Sequence, residues 1–251
     1  MGTPESGYLV YGVVPGDVES TGDGRGVGDA AVTTVAHGRV GALVSEVTLD
    51  RPLGTPDDLM AYQRLLDSTA TAVPVLPMRF GTAMADIDAV EAVLAEQHDQ
   101  FAELLEQFDG QAEFVVRARY AMDSVLPEIL DGNEEAGALR NQIREQPEEL
   151  TGNARVRLGE IVYQAIEAER QRDTQRLVEA LGDTVTACRE LPPSHDEDAA
   201  HLAVMVRTAQ RDEFEDALRN LADDEWQGWA TVRVLGPLAP YDFVQATGNG
   251  N

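Results

Sequence analysis

The chain has 251 residues, 43% of them hydrophobic, and its 45 acidic residues outnumber 19 basic residues to give a net charge of −26. Its length and apolar content predict one large folded domain or two of ordinary size. A surface with this charge repels phosphate, which disfavours binding to nucleic acid and docking on an anionic lipid membrane.

The length of the apolar runs and the cysteine content further restrict the class of protein. No run approaches the ~18 apolar residues that cross a bilayer, and the N-terminus lacks the basic and apolar segments of a signal peptide. We therefore expect a soluble, cytoplasmic protein. Cys188 is the single cysteine, so we expect neither an internal disulfide nor a cysteine zinc cluster.

The first half of the chain alternates short strand-like and helical patterns. β-branched and aromatic runs predict strands, and apolar residues at intervals of three and four predict helices. The predicted elements are strands at 8–14, 31–36 and 39–47, a helix at 55–71, an extended segment at 73–82, a helix at 86–108 and a strand at 113–120. This order predicts an N-terminal α+β domain, residues 1–122, with a ferredoxin-like antiparallel sheet and helices on one face.

The second half begins with helical patterns and ends with strands. The predicted elements are a broken helical region at 126–144, a long helix at 153–181, strands at 184–191 and 202–208, a helix at 211–221 and a strand at 226–235. We expect a C-terminal domain, residues 123–251, that combines an α+β unit with additional long helices. The fold class is therefore α+β with two domains.

The extended segment 73–82 has the sequence VPVLPMRFGT. Pro74 and Pro77 exclude a helix and disfavour a central strand, while Gly81 permits a sharp exit from the segment. Arg79 is the one charge in this apolar run. We expect its stem to be buried and its guanidinium to pair with a carboxylate, although a rigidly held charge could instead contact a partner.

Two loops suggest nucleotide or metal binding as alternative functions. Residues 22–28 are rich in glycine, but the spacing does not match a dinucleotide fingerprint and no lysine completes a P-loop. His195, Asp196, Asp198 and His201 are close enough in sequence to suggest a metal site on the loop 195–201. Neither pattern is specific, so we expect no catalytic residue, cofactor or functional metal. A metal- or nucleotide-dependent enzyme that uses one of these loops stays as an alternative.

Several segments together resemble the gas vesicle protein GvpF/GvpL family. They are YLVYGVV at 8–14, VLPMRFGT at 75–82, NARVRLGEIV at 153–162, LAVMVRTAQRDEFEDAL at 202–218 and GPLAPYDFV at 236–244. In the last segment Leu238, Ala239 and Asp242 depart from the Trp, Pro and Ser or Thr that the family often carries. The resemblance covers nearly the full chain.

The resemblance implies a non-enzymatic role as a gas vesicle accessory or structural protein required for assembly. The implied partners are the small hydrophobic shell protein GvpA and other gas vesicle accessory proteins, and the implied location is the gas vesicle. A generic acidic protein-binding scaffold is the remaining alternative. The candidate motif or partner-contact residues are Pro77, Arg79, Phe80, Gly81, Gly236, Pro237, Pro240, Tyr241 and Phe243.

Overall fold

The computed structural model describes residues 6–18, 24–48 and 53–247, and it confirms the α+β class. The strands are β1 (Ser6–Pro15), β2 (Thr33–His37), β3 (Val40–Thr48), β4 (Leu76–Pro77), β5 (Ala83–Met84), β6 (Gln111–Tyr120), β7 (Ala187–Glu190), β8 (Asp198–Arg207) and β9 (Ala230–Leu238). The α-helices are α1 (Pro56–Ala70), α2 (Ile87–Glu96), α3 (His98–Phe108), α4 (Met122–Asp131), α5 (Glu134–Glu145), α6 (Gly152–Leu181), α7 (Arg211–Asn220) and α8 (Tyr241–Thr247).

The first sheet is antiparallel and is built around β1. Its order is β2-β3-β1-β4, and β5 also pairs with β1. The β1–β3 register runs from Ser6 opposite Thr48 to Pro15 opposite Val40, with a bulge between Val10 and Gly12. The short strands β4 and β5 border β1 on the side away from β3, so the two-proline segment lies at a sheet edge, where a missing N–H is tolerated.

Helices pack on both faces of this sheet, whereas the sequence pattern predicted helices on one face. Leu9 and Tyr11 of β1 share an apolar cluster with Leu66 of α1. Val10 and Val13 share a second cluster with residues of α2 and α3. The physical reason is that β1 is apolar on both sides: apart from its ends, nearly all of its side chains are buried, so each face needs a helical cover.

The helix predicted at 86–108 is two helices, α2 and α3. Gln97 separates them because its backbone, with φ −109° and ψ 17°, leaves the helical region. The apolar spacing continues across this break, so the sequence pattern did not reveal it. At the start of α1, by contrast, the predicted cap is present: the Thr55 side chain accepts the Asp58 N–H, and Asp58 accepts the Thr55 N–H.

The second sheet has the strand order β7-β8-β6-β9. It includes β6, the strand that the pattern had assigned to the N-terminal sheet. The chain forms two compact units that are interleaved in sequence: the first comprises 1–114, 205–209 and 236–251, and the second comprises 115–204 and 210–235. The division into domains 1–122 and 123–251 stays a prediction. Among the described helices, none combines the length and the apolar run needed to cross a membrane.

Candidate functional site

The segment 75–82 is fixed to β1 by backbone hydrogen bonds. Gly12 and Val13 of β1 lie opposite Pro77 and Leu76 of β4. The Met78 N–H donates to the Tyr11 carbonyl at 2.9 Å, and the Val10 N–H donates to the Thr82 carbonyl at 2.8 Å. Both ends of the segment are therefore held, and the turn between them projects Arg79, Phe80 and Gly81 from a rigid base.

Phe80 and Arg79 have different surroundings at this turn. The half-buried Phe80 ring contacts Tyr62 edge-on, with ring centroids 5.3 Å apart and an angle of 89° between the planes. Arg79 is exposed, and its guanidinium forms no ion pair with the residues described. The expected buried ion pair of Arg79 is wrong: Gly81, with φ +86°, turns the chain here and leaves the arginine facing solvent.

The closing segment 236–244 belongs to the same unit. Gly236 has φ +147°, and a Cβ there would lie 2.5 Å from Cδ1 of Phe114, so neither the backbone angle nor the space accepts a side chain. Gly236 and Pro237 are joined by a cis peptide bond. Further along, the Ala239 N–H and the Tyr241 hydroxyl both donate to Oδ1 of Asp67, each at 3.0 Å.

A buried carboxyl group supports the start of α8. The Glu113 side chain is 1% exposed, and its Oε2 accepts the Asp242 N–H at 2.9 Å. Burial raises the pKa of Glu113 to about 8, and the nearby Asp242 and Asp67 carboxylates act in the same direction, against the Asp242 hydrogen bond. Burial also raises the pKa of Tyr241, with Asp67 adding to the effect.

The two segments meet in the first unit, and we call this arrangement the motif junction, residues 75–82 and 236–244. Helix α8 contacts β4. Phe80 and Tyr241 pack against the cluster that includes Ala239, while Met78 and Phe243 pack against the cluster on the other face of the sheet. Most of the junction is thus internal. Pro77 and Pro240 are buried, Phe80, Pro237, Tyr241 and Phe243 are partly buried, and Arg79, Gly81 and Gly236 are exposed.

Asp67 and Glu113 both accept hydrogen bonds from the closing segment of the junction, and sequence reasoning did not single them out. They are two of 45 acidic residues, and carboxylates are so frequent in this chain that no local pattern marks either one. A sequence feature that marks Glu113 is its position in the apolar run of β6, because an acidic side chain that faces the core needs a hydrogen-bond donor.

The loop 195–201 folds around a carboxylate. Oδ2 of Asp198 accepts hydrogen bonds from Ser194 N, Ser194 Oγ and His195 N at 2.7–2.9 Å. Burial acts to raise the pKa of Asp198, but these hydrogen bonds outweigh it and lower the pKa. Nδ1 of His201 bonds to the Pro192 carbonyl at 2.8 Å. Across 6–18, 24–48 and 53–247, no group of three His, Cys, Asp or Glu side chains is placed to hold a metal ion.

The glycine-rich loop is described from Gly24 onward, and positions 22 and 23 of the predicted loop lie outside the described residues. The Val27 N–H donates to the Tyr11 hydroxyl at 2.8 Å, and that hydroxyl also bonds to Ser45 Oγ at 2.7 Å. Beside it, a cleft of about 690 Å³ includes Arg25 and Arg64 but also Asp29, Asp57 and Asp58. The acidic side chains oppose a phosphate ligand.

Two antiparallel sheets, a 30-residue helix and a motif junction built from proline, glycine and aromatic residues define this chain as an α+β protein. A family model described as gas vesicle synthesis protein GvpL/GvpF matches residues 7–245, a span that contains both segments of the junction. The chain belongs to this family.

Individual relatives agree with the family model. The chain is 32% identical over 240 residues to gas vesicle protein F of Streptomyces sp. (strain CB03234), covering 94% of this chain and 98% of the relative. It is 26% identical over 205 residues to gas vesicle protein L of the same strain, covering 75% and 69%. The crystal structure of GvpF from Anabaena sp. PCC7120 shares the fold, with a TM-score of 0.80, 19% identity and coverage of 96% and 98%.

Proposed function

We propose that the protein is an accessory factor in gas vesicle assembly that binds the small hydrophobic shell protein GvpA and acts with other gas vesicle proteins, at the vesicle or in the cytoplasm. The observation that carries the proposal is the family match over residues 7–245, which makes the role gas vesicle-related. The finer statements, binding to GvpA and action during assembly, are the part that we add.

A physical argument favours this role. A shell subunit that coats a gas space exposes apolar surface before it is incorporated, and such surface aggregates in water. A partner with a net charge of −26 keeps a complex soluble through mutual repulsion between complexes. An acidic chain that covers the apolar surface of a shell subunit would therefore deliver that subunit without precipitation.

The enzyme alternatives have little support in the site geometry. Oδ2 of Asp198 accepts hydrogen bonds from Ser194 and His195, and no group of three described His, Cys, Asp or Glu side chains is placed to hold a metal ion. The glycine-rich loop lies beside an acidic cleft. We therefore propose a binding role in preference to catalysis. The following experiment distinguishes a generic acidic protein-binding scaffold from a role in gas vesicle assembly.

The test has a genetic and a biochemical arm. Deleting the gene in a vesicle-forming host should abolish vesicles, and the wild-type gene supplied on a plasmid should restore them. Tagged full-length protein co-expressed with GvpA should retain GvpA in the soluble fraction, whereas an unrelated acidic protein with the same tag should not. Normal vesicles after deletion, or no retention of GvpA, would contradict the proposal.

A further inference from the structure

Strand β9 is an edge strand of the second sheet. Among the described strands, β6 alone pairs with β9, so the backbone groups along its outer edge are open to a further strand. Arg233, Val234 and Leu235 follow one another in β9 and are all exposed, Val234 by 43% and Leu235 by 63%. Successive side chains of a strand point to opposite faces, so both faces of the sheet are uncovered at this position.

Two arginines of the neighbouring strand lie on one face of the sheet. Arg117 and Arg119 are partly exposed and alternate with buried residues along β6, so their side chains share a face. The opposite face packs on α6, where the hydroxyl group of Tyr120 donates to Oδ2 of Asp173 at 3.0 Å. The arginines therefore occupy the face that α6 does not cover.

Two contacts set the register of β9 on β6. The Ala121 N–H donates to the Trp229 carbonyl at 2.7 Å, and the Thr231 hydroxyl donates to the Arg119 carbonyl at 3.5 Å. The paired positions run in opposite directions along the chain, so the strands are antiparallel and Thr231 lies beside Arg119. Thr231 is exposed, which places it on the open face with Arg119.

Arg233 joins the two arginines of β6. It lies two residues beyond Thr231, on the same face of the sheet, and the register places it beside Arg117. Neighbouring positions in this cluster are about 5–7 Å apart along the backbone. We call Arg117, Arg119 and Arg233 the arginine face, and all three belong to the second unit.

The arginine face is positive within a strongly acidic chain. Nε of Arg119 lies 3.6 Å from Oδ1 of the buried Asp198, and a terminal nitrogen of Arg117 bonds to Nε2 of His201 at 3.4 Å. Arg233 forms no ion pair with the described residues, and β9 carries no acidic residue. Among the described contacts, three guanidinium groups thus share one carboxylate, so a further carboxylate is favoured at this face.

Shape and charge together select an acidic strand as the occupant. A sheet edge binds an extended segment through a backbone ladder, and its side chains then lie beside Arg233 and Leu235. A second copy would bring three more arginines and another −26 to the same contact. A long polyphosphate chain would meet the acidic surface beyond the arginine face. Screening over ~8–10 Å lets a short segment with two or three carboxylates meet the arginine face alone.

We propose that the outer edge of β9 binds an extended acidic segment of a partner protein by strand addition, with a carboxylate of that segment paired to Arg233 and attracted by Arg117 and Arg119. Apolar residues of the segment pack beside Val234 and Leu235. The inference does not depend on the proposed function, because it specifies the chemistry of the segment and not the protein that carries it.

The test measures binding of a fluorescein-labelled peptide, Thr-Val-Glu-Val-Glu-Val-Thr, to the full-length protein by fluorescence anisotropy. One control peptide has glutamine in place of both glutamates, and another has proline in place of the central valine, which removes a ladder N–H.

The protein variants are Arg233→Glu and Leu235→Asp. Their matched controls are Arg140→Glu, on an exposed position of α5, and Leu150→Asp, at a residue that is 68% exposed. All four positions are exposed, so the variants should fold, as melting curves will verify.

We expect the acidic peptide to bind wild type saturably, and each control peptide to bind about tenfold more weakly or worse. Arg233→Glu and Leu235→Asp should weaken binding of the acidic peptide, whereas Arg140→Glu and Leu150→Asp should retain it. No binding to wild type would overturn the proposal. Equal binding of the glutamine peptide would remove the charge selection, and equal binding of the proline peptide would exclude strand addition.

Two further outcomes would also overturn the proposal. An equal loss of binding in Arg140→Glu would attribute the effect to net charge and not to the arginine face. Sedimentation that shows a wild-type dimer lost in Leu235→Asp would assign the edge of β9 to a second copy of the chain.

Discussion

The hydroxyl group of Tyr241 donates a hydrogen bond to Oδ1 of Asp67 at 3.0 Å, and these two residues are 174 positions apart in sequence. The same oxygen accepts the Ala239 N–H. One carboxylate on α1 thus holds the closing segment of the chain in the first unit, beside the turn that carries Arg79. Variants at this contact therefore test the role of the two proline- and glycine-containing segments of the motif junction.

We predict that Asp67→Ala lowers the free energy of unfolding by roughly 1–3 kcal/mol, because it leaves the Tyr241 hydroxyl and the Ala239 N–H without their acceptor. Urea denaturation followed by circular dichroism measures the change. Glu91→Ala is the matched control, since it also removes one negative charge but lies on the exposed side of α2. Equal stability of the two variants would show that Asp67 does not hold the closing segment.

Glu113 should make stability depend on pH. Its pKa is raised from an ordinary 4.5 to about 8, so between these values the folded chain keeps a proton that the unfolded chain releases. The free energy of unfolding should therefore fall as the pH rises from 4.5 to 8, by up to roughly 1.4 kcal/mol per pH unit from this group.

The Glu113 contribution is isolated by substitution. Glu113→Gln is uncharged at every pH and keeps an oxygen that can accept the Asp242 N–H. Its urea-denaturation stability should change less between pH 5 and pH 8 than that of wild type, and Glu91→Gln should follow wild type. A wild-type slope in Glu113→Gln would place the pH dependence elsewhere.

Arg79 is the sharpest probe of the motif junction. Because its side chain is exposed and forms no described ion pair, we predict that Arg79→Gln leaves the melting temperature within about 2 °C of wild type, as surface substitutions usually do.

Phe80→Ala should instead destabilise the protein, by less than the ~3–5 kcal/mol of a fully buried phenylalanine, because its ring is half-buried against Tyr62.

The same Arg79→Gln variant also tests a partner contact. If normal melting is accompanied by weaker retention of GvpA, then the junction contributes to binding as well as to folding. A large drop in melting temperature would instead support the structural ion pair of Arg79 that was expected from the sequence. Thermal melting and co-purification of one preparation therefore separate the two accounts.

Salt should stabilise the fold. Self-repulsion among charges that sum to −26 weakens as the screening length shortens from ~10 Å at 0.1 M to ~3 Å at 1 M salt. We predict a higher melting temperature in 1 M potassium chloride than in 0.1 M, measured by circular dichroism at fixed pH. Potassium chloride is chosen because neither ion is strongly kosmotropic. An unchanged or lower melting temperature would count against repulsion as the cause.

Local patterns predicted most elements and missed features that depend on distant contacts. The α1 cap follows from Thr55, Pro56 and Asp58, which act within one turn of each other. The break at Gln97 was not predicted, because the apolar spacing that identifies a helix continues through it. The assignment of β6 to the second sheet was also missed, since strand patterning does not specify the neighbouring strand.

The sequence by itself determined the α+β class, the exclusion of a helix from the two-proline segment and the family, because composition, proline geometry and short motifs are local properties of the chain. Only the tertiary structure decided which residues of the chain contact those motifs. It placed Asp67 and Glu113 against the closing segment and turned Arg79 to solvent. Burial and pairing depend on residues far apart in the sequence, and only the folded chain brings such residues together.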